Sequence, residues 1–336
     1  MSSRATALTI AGLVTVLVVV GGCSGAGVDA DEVRGGDVRA AATDHLSTVV
    51  LVASWLSLLY PEVAPAAVDT AECGDWEMET LPDGTIHFWG TMSGDCSAFD
   101  RTIRPDGSGA LERTWLDGKT FNQEWDPPVE NGSVVSQACR DTYWDGTHLD
   151  YVLTTDTSTS TFTPQIRDGT ATLTDGRQMD FVQTRVPQHD HLILGLADGA
   201  TLEFNVCLIP LRYQPDFAAG ATGTFRSPAG VEHEFDMAGQ GQSWTKWNFT
   251  SSDGKTGVFT LSGNMAGSGQ IRDDGGTVAA LRWTATPEPD GTRDIAGVLD
   301  MLAARSSEIT PSAAARDFQM DRWIKNVTEL GPMPGF

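Results

Sequence analysis

Leu192-Ile-Leu-Gly-Leu-Ala-Asp-Gly-Ala-Thr-Leu-Glu-Phe-Asn-Val-Cys-Leu208 decides the fold class. Leu202, Phe204, Val206 and Leu208 alternate with Glu203 and Asn205, the period of a strand with one dry and one wet face. The apolar run Leu192 to Leu196 precedes it, with Asp198-Gly199 between the two. Asp-Gly favours the positive backbone angles of hairpin turns whose twist matches the flanking strands. The stretch therefore predicts two antiparallel strands joined tightly.

The same punctuation recurs from about Cys73 to about Pro287, at Asp83-Gly84, Asp106-Gly107, Asp117-Gly118, Asn131-Gly132, Asp145-Gly146, Asp168-Gly169, Asp175-Gly176, Asp253-Gly254 and Asp274-Gly275. Three of the intervals between turns are 23 residues, although the side chains do not repeat. Ile86, Phe88 and Met92 alternate with His87 and Thr91 in the same way. The expected fold is mainly β, a long antiparallel meander of roughly fifteen strands, more than an open sheet tolerates without curling or splitting. It should form a barrel, a sandwich, or a curved sheet with its hollow filled by flanking amphipathic helices.

Those helices are predicted at both ends. Val38, Ala42, Leu46, Val49, Val52, Leu56 and Leu59 recur every three or four residues, with Asp37 placed to cap the start and Pro61 after the end. Ser47, Thr48, Ser54 and Ser57 interrupt the apolar character, so this helix, over 37–60, should pack on the body rather than cross a bilayer. Within 294–330, Ile295, Val298, Leu299 and Leu302 suggest a short helix. Met320, Trp323, Ile324, Val327 and Leu330 suggest a longer one, started by Thr310-Pro311 and stopped by Gly331. Gly220 to Gly230 would permit a domain boundary, but one β-rich domain over 37–336 is favoured.

The N-terminus gives an address. A lone Arg4, the apolar run Leu8 to Val20 and small residues before Cys23 make a secretory signal too brief to hold a bilayer. Val20-Gly21-Gly22-Cys23 resembles the lipobox of bacterial lipoproteins. That resemblance implies a signal peptide over 1–22, diacylglycerol on the Cys23 thiol, cleavage before Cys23 and acylation of the new terminus. Ser24 looks like the permissive residue for an outer membrane, so the expected location is the cell membrane or outer membrane, on the exported side. Residues 23–36, rich in Gly, Ala, Asp and Ser, read as a flexible tether. With 22 basic against 45 acidic side chains and a net charge of −23, neither nucleic acid nor anionic headgroups are expected partners. The membrane is reached through the lipid; an envelope glycan or protein remains as a partner.

Apart from Cys23 there are four cysteines, an even number in an exported chain, which predicts two disulfides. Cys73 and Cys96 lie almost symmetrically about Asp83-Gly84, so they should pair across a hairpin. Cys139 and Cys207 pair by elimination.

Chemistry is harder to find. His189-Asp190-His191, just before a strand, could share a Zn²⁺ if His148 or His233 supplied a further ligand, but a polar turn between strands is the favoured reading. Asp273-Asp274-Gly275, and Asp290 with Asp294, are explained by turn preference without calcium. Gly-x-Ser-x-Gly and a phosphate-binding glycine loop are missing. No cofactor is expected. Trp89, Trp115, Trp125, Trp144, Trp244, Trp247 and Trp283 lie in or beside expected strands. Trp247, in step with Phe249, reads as core, whereas Trp89, Trp115, Trp125 and Trp144 are candidates for stacking on sugar. The expected role is non-catalytic binding or scaffolding by a lipid-anchored envelope protein. The alternatives are a carrier of a lipophilic molecule inside the curved sheet and a polysaccharide hydrolase using an Asp/Glu pair.

Overall fold

A computed structural model describes residues 30–59, 73–92, 96–116, 118–158, 165–186, 188–209, 214–216, 219–240, 243–261, 266–273, 276–287, 293–301, 307–312 and 315. Among the described residues one helix with full bounds, α1 (Ala30–Leu59), precedes twenty-one strands. They are β1 (Trp76–Thr80), β2 (Ile86–Thr91), β3 (Ala98–Ile103), β4 (Gly109–Thr114), β5 (Thr120–Trp125), β6 (Val129–Asn131) and β7 (Val134–Tyr143). Then come β8 (His148–Asp156), β9 (Gln165–Thr172), β10 (Gln178–Val186), β11 (His189–Gly195), β12 (Thr201–Ile209), β13 (Gln214–Pro215) and β14 (Ala221–Arg226). The last are β15 (Glu232–Gln240), β16 (Ser243–Ser251), β17 (Thr256–Leu261), β18 (Gly267–Asp273), β19 (Gly276–Pro287), β20 (Arg293–Met301) and β21 (Ser307–Ile309).

Consecutive strands pair antiparallel, with β7 taking both β5 and β6, and β12 taking both β13 and β14. β1 and β21 each have one neighbour, so among the described residues the sheet is an open meander. The turn chemistry that predicted it is observed with a different geometry. At Asp198-Gly199, Leu196 N–H donates to the Ala200 carbonyl at 2.9 Å, Gly199 N–H to the Leu196 carbonyl at 3.0 Å, and Asp198 Oδ1 accepts Ala200 N–H at 3.0 Å. Gly199 takes φ 85°, and the aspartate does not join it at positive φ. This is a three-residue loop with a glycine bulge rather than a two-residue mirror-image turn. Aspartate is favoured because its carboxylate ties the residue after the glycine.

Asp168-Gly169 is not a turn; it lies inside β9. Gly169 stands directly opposite Tyr151, and a Cβ there would meet the Asp150 carbonyl oxygen at 2.1 Å. The pairs Gly109 with Trp125, Gly223 with Phe235, Phe259 with Gly269 and Gly267 with Trp283 repeat the arrangement on the same face. A large ring lies over a strand stripped of its side chain, which lets that face become concave.

α1 fills the hollow. Trp55 packs 5.3 Å from Phe181 on β10, His45 stacks 4.3 Å from Phe249 on β16, and Arg39 Nη2 donates to the Glu308 carbonyl on β21 at 3.0 Å. From Arg39 to Trp55 the helix rises about 24 Å, whereas β10 and β21 are about 48 Å apart along the sheet. The sheet therefore curls round the helix. The core is the resulting seam of Val38, Leu46, Val49, Trp55, Phe181, Phe204, Phe225, Trp247, Phe259 and Leu281, all buried.

Several expectations are corrected. α1 begins at Ala30, so the tether expected over 23–36 is helical from residue 30 and Asp37 is an internal position. Gly35-Gly36 looked like flexible chain, but glycine costs a helix only about 1 kcal/mol each, which packing further along offsets. Ile295, Val298 and Leu299 belong to β20, not to a helix. Residues 295 and 299 share a face under either period; exposed Val298 between buried neighbours decides for the strand. Leu302, the helix expected from Met320 to Leu330, the signal peptide and Cys23 lie outside the described residues.

Cys73 and Cys96 form the expected disulfide, with Cα atoms 5.3 Å apart. Cys139 and Cys207 are free, contrary to expectation. Five strand spacings separate β7 from β12, about 24 Å, far beyond the reach of a disulfide. The remaining bridge clamps the edge: all of β1 is exposed and it has a single neighbour. Reducing it is expected to raise amide exchange in β1 and β2 at least about tenfold while the global urea midpoint stays in place. Hydrogen-exchange mass spectrometry with and without reductant checks this, and a shifted global midpoint would refute the local role.

Candidate functional site

α1 ends near β10, and the inner face of β1 to β9 carries on beyond it. Register fixes which side chains share that face. Phe88, Arg101, Leu111, Gln123, Asp141 and Leu149 are successive partners across β2, β3, β4, β5, β7 and β8. Ile86, Ile103, Gly109, Trp125, Cys139, Tyr151, Gly169 and Phe181 form the next row. Most of the first strands here are only half-buried, unlike the seam under α1.

Charge is segregated between the two sides. From β3 to β5 and from β7 to β10 the inner face holds Arg101, Arg113, Arg167 and Arg185, against Asp141. The outer face of the same strands holds Asp100, Glu112, Glu124, Asp150, Asp156, Asp168 and Asp180, against Arg140. The inner cations lie on aromatic rings. Arg101 is 5.5 Å above Trp125, Arg167 is 5.3 Å from Tyr151 and Arg113 is 5.0 Å from Trp115. At the strand ends Lys119 Nζ is 4.7 Å from Trp144, which meets Trp115 edge-on at 6.1 Å. Such contacts are worth about 0.5–2 kcal/mol each, more as water is excluded.

The acids on this side have side-chain donors. Asp141 accepts from Gln123 Nε2 at 2.7 Å and from the Tyr151 hydroxyl at 3.2 Å. Asp190 on β11 accepts from Gln183 Nε2 at 2.7 Å and from Arg185 at 3.0 Å. Burial, aided by Asp141, pushes the Cys139 thiol up to about 11, so it is not a nucleophile at neutral pH. Burial also raises the Tyr151 hydroxyl and lowers the Arg101 guanidinium. Arg101 Nε is buried without a hydrogen-bond partner, and among the described residues no carboxylate pairs with Arg101 or Arg167.

A second polar cluster joins α1 to the sheet. His233 Nε2 lies 3.0 Å from Asp44 Oδ2 and its Nδ1 lies 2.6 Å from Ser251 Oγ, which is also 3.3 Å from His45 Nε2. With Nε2–H of His233 given to Asp44, the Ser251 hydroxyl donates to His233 Nδ1 and accepts from His45. The order Asp44, His233, Ser251 matches a hydrolytic triad in connectivity. Ser251 is only 4 % exposed and held by two imidazoles, so no carbonyl carbon can approach its oxygen. The cluster is a latch between helix and sheet.

Of the expected site residues, Trp115 and Trp144 meet edge-on, and the others do not join them in one cluster. Trp89 is on the outer face, stacked 4.6 Å from His87, which lies between Glu79 and Asp100. Trp115, Trp125 and Trp144 have cations beside them. Trp247 and Trp283 are core. The side chain of Trp244, together with Asp274, Gly275 and Asp290, lies outside the described residues. His189 and His191 do share the outer side of β11, and His191 Nε2 is 2.8 Å from Glu203. His148 stands three strands away on β8, and His233 is buried on the inner side. Among the described residues no group of three or more His, Cys, Asp or Glu could hold a metal ion. The outer face also bears two shallow grooves, one of 490 Å³ with Arg104, Glu124, Arg140 and Asp150, the other of 440 Å³ with Glu203, Glu234 and Asp236.

The inner arginines were missed in the sequence. Phe99-Asp100-Arg101-Thr102-Ile103 carries the signal, since alternation puts Arg101 in step with Phe99 and Ile103. Comparison of the chain with protein families, curated proteins and solved structures finds no match.

Proposed function

We propose that the chain is a non-catalytic binding module of the cell envelope, anchored through lipid on Cys23, that holds a glycan on the inner face of β1 to β9. The observation that carries this reading is the contrast along one face. Under β10 to β21 the hollow is filled by α1, while further on Phe88, Phe99 and Trp125 lie half-exposed on the same face. Ring faces of this kind suit the apolar C–H faces of sugars. The filled hollow speaks against a carrier of lipophilic molecules. The carboxylates on this side are engaged by Gln123, Tyr151, Gln183 and Arg185, which speaks against a hydrolase.

Both halves of the reading are testable. Cys23→Ser is expected to stay uncleaved by the lipoprotein peptidase and to carry no clickable fatty acid after metabolic labelling; a label retained on that variant would overturn the anchor. On a glycan array, Trp125→Ala should bind about tenfold more weakly than the unmodified chain, in line with the cost of a stacking aromatic. An array on which the unmodified chain binds nothing would leave only scaffolding.

A further inference from the structure

We infer that the ligand of this face is acidic: the inner surface from β3 to β9 is a site for a saccharide chain bearing carboxylate or phosphate groups, with Arg101 and Arg167 as its anion contacts. The inference rests on the glycan reading above and adds the chemical class. Arg101 stands between Phe88 and Leu111 in its row, with its guanidinium over Trp125 and its Nε buried and unbonded. A desolvated cation is costly unless paired. This chain has 45 acidic side chains against 22 basic ones, yet among the described residues none pairs with Arg101. Arg167 likewise lies over a ring, 5.3 Å from Tyr151, and among the described residues no carboxylate pairs with it. Deeper in the trough the chain does supply its own anion, because Asp190 neutralises Arg185 at 3.0 Å. The difference is the presence of a carboxylate, not the type of cation.

Spacing argues for a chain rather than a single ion. Arg101 on β3 and Arg167 on β9 are five strand spacings apart, about 24 Å along the sheet. At Arg101 the chain offers the half-exposed ring of Trp125 and a planar fork of donors beside it, whereas at Arg167 the ring of Tyr151 is buried and the fork alone is offered. A sugar can stack on Trp125 while its oxyanions take the two forks in bidentate fashion. The acidic outer face repels the same polymer, so net charge selects the face without excluding the ligand.

The test uses the full folded chain with labelled polygalacturonate and its fully methyl-esterified form, the same backbone without charge. Ionic strength is set at about 0.15 M, where acids more than about 8 Å away are screened. Polygalacturonate is expected to bind at least about tenfold more tightly than the ester. Arg101→Gln and Arg167→Gln should each remove about tenfold of that preference with the melting temperature unchanged, and Arg101→Lys should restore part of it. Inorganic phosphate as competitor assigns the oxyanion: displacement supports a phosphate-bearing chain, persistence a carboxylate-bearing one. Equal binding of the two polymers overturns the acidic ligand and leaves the glycan reading standing. So does a preference unmoved in folded variants at both arginines. Single-stranded DNA binding as tightly as polygalacturonate also overturns it, as mere polyanion attraction. Binding of neither polymer defeats this inference, and an empty glycan array is what separately defeats the reading beneath it.

Discussion

Trp55→Ala is expected to lower the stability of the folded chain by about 3–5 kcal/mol, the usual cost of truncating a fully buried indole. Trp55 is 0 % exposed and joins α1 to Phe181 at 5.3 Å. Removing it leaves a void at the place where the helix meets the end of the filled hollow, and neither wall can collapse without uncurling the sheet. Urea unfolding followed by circular dichroism measures the loss, because Trp247 and Trp283 would confuse a fluorescence signal. Trp55→Phe should keep more than half of the stability. An alanine variant within about 1 kcal/mol of the parent would mean that the helix is not what the sheet wraps.

Acid should loosen the same helix. His45 is fully buried, and burial, with His233 and Lys255 nearby, holds its pKa well below 6.5. In the unfolded chain the imidazole titrates near its ordinary value, so below about pH 6.5 the unfolded state takes up a proton that the folded state refuses. The stability this neutral ring contributes is present above that pH and is lost as pH falls toward the folded value. The slope reaches about 1.4 kcal/mol per pH unit for this one group. Asp44 on α1, His233 on β15 and the Asp253–Lys255 pair beside β16 surround it, and of these His233 and Lys255 oppose its protonation. Urea midpoints at pH 7.5, 6.5, 5.5 and 5.0 test this. His45→Phe, which keeps the stacking on Phe249, should flatten the acid slope; an unchanged slope would assign the loss to other groups.

The meander was legible because both of its signals are local. Alternation in Leu202 to Leu208 and the turn at Asp198-Gly199 are complete within a few residues. What failed depends on partners far along the chain. Asp168-Gly169 has turn composition, but the glycine answers to Tyr151 on the neighbouring strand. Cys139 and Cys207 were matched by counting, and parity carries no distance. Ile295 and Leu299 fit two periods at once. The site was less legible than the fold: Arg101 could be placed on the inward side, but its ring partner and its lack of a carboxylate follow only from a register spanning several strands.

Neighbouring strands join within a few residues of one another, so the sheet can assemble hairpin by hairpin with little loop entropy lost at each step. α1 is the exception. Asp44 meets His233 across 189 positions and Ser47 meets Ser312 across 265. α1 leaves the ribosome ahead of every strand it packs on and is therefore among the last to find its place, and until β21 has formed, its apolar side chains have no completed partner. In the interval this segment, buried on every side from Leu46 to Val52 in the finished fold, must be shielded from other chains, which makes the unassembled helix, and not the finished sheet, the state in which this protein most needs a chaperone.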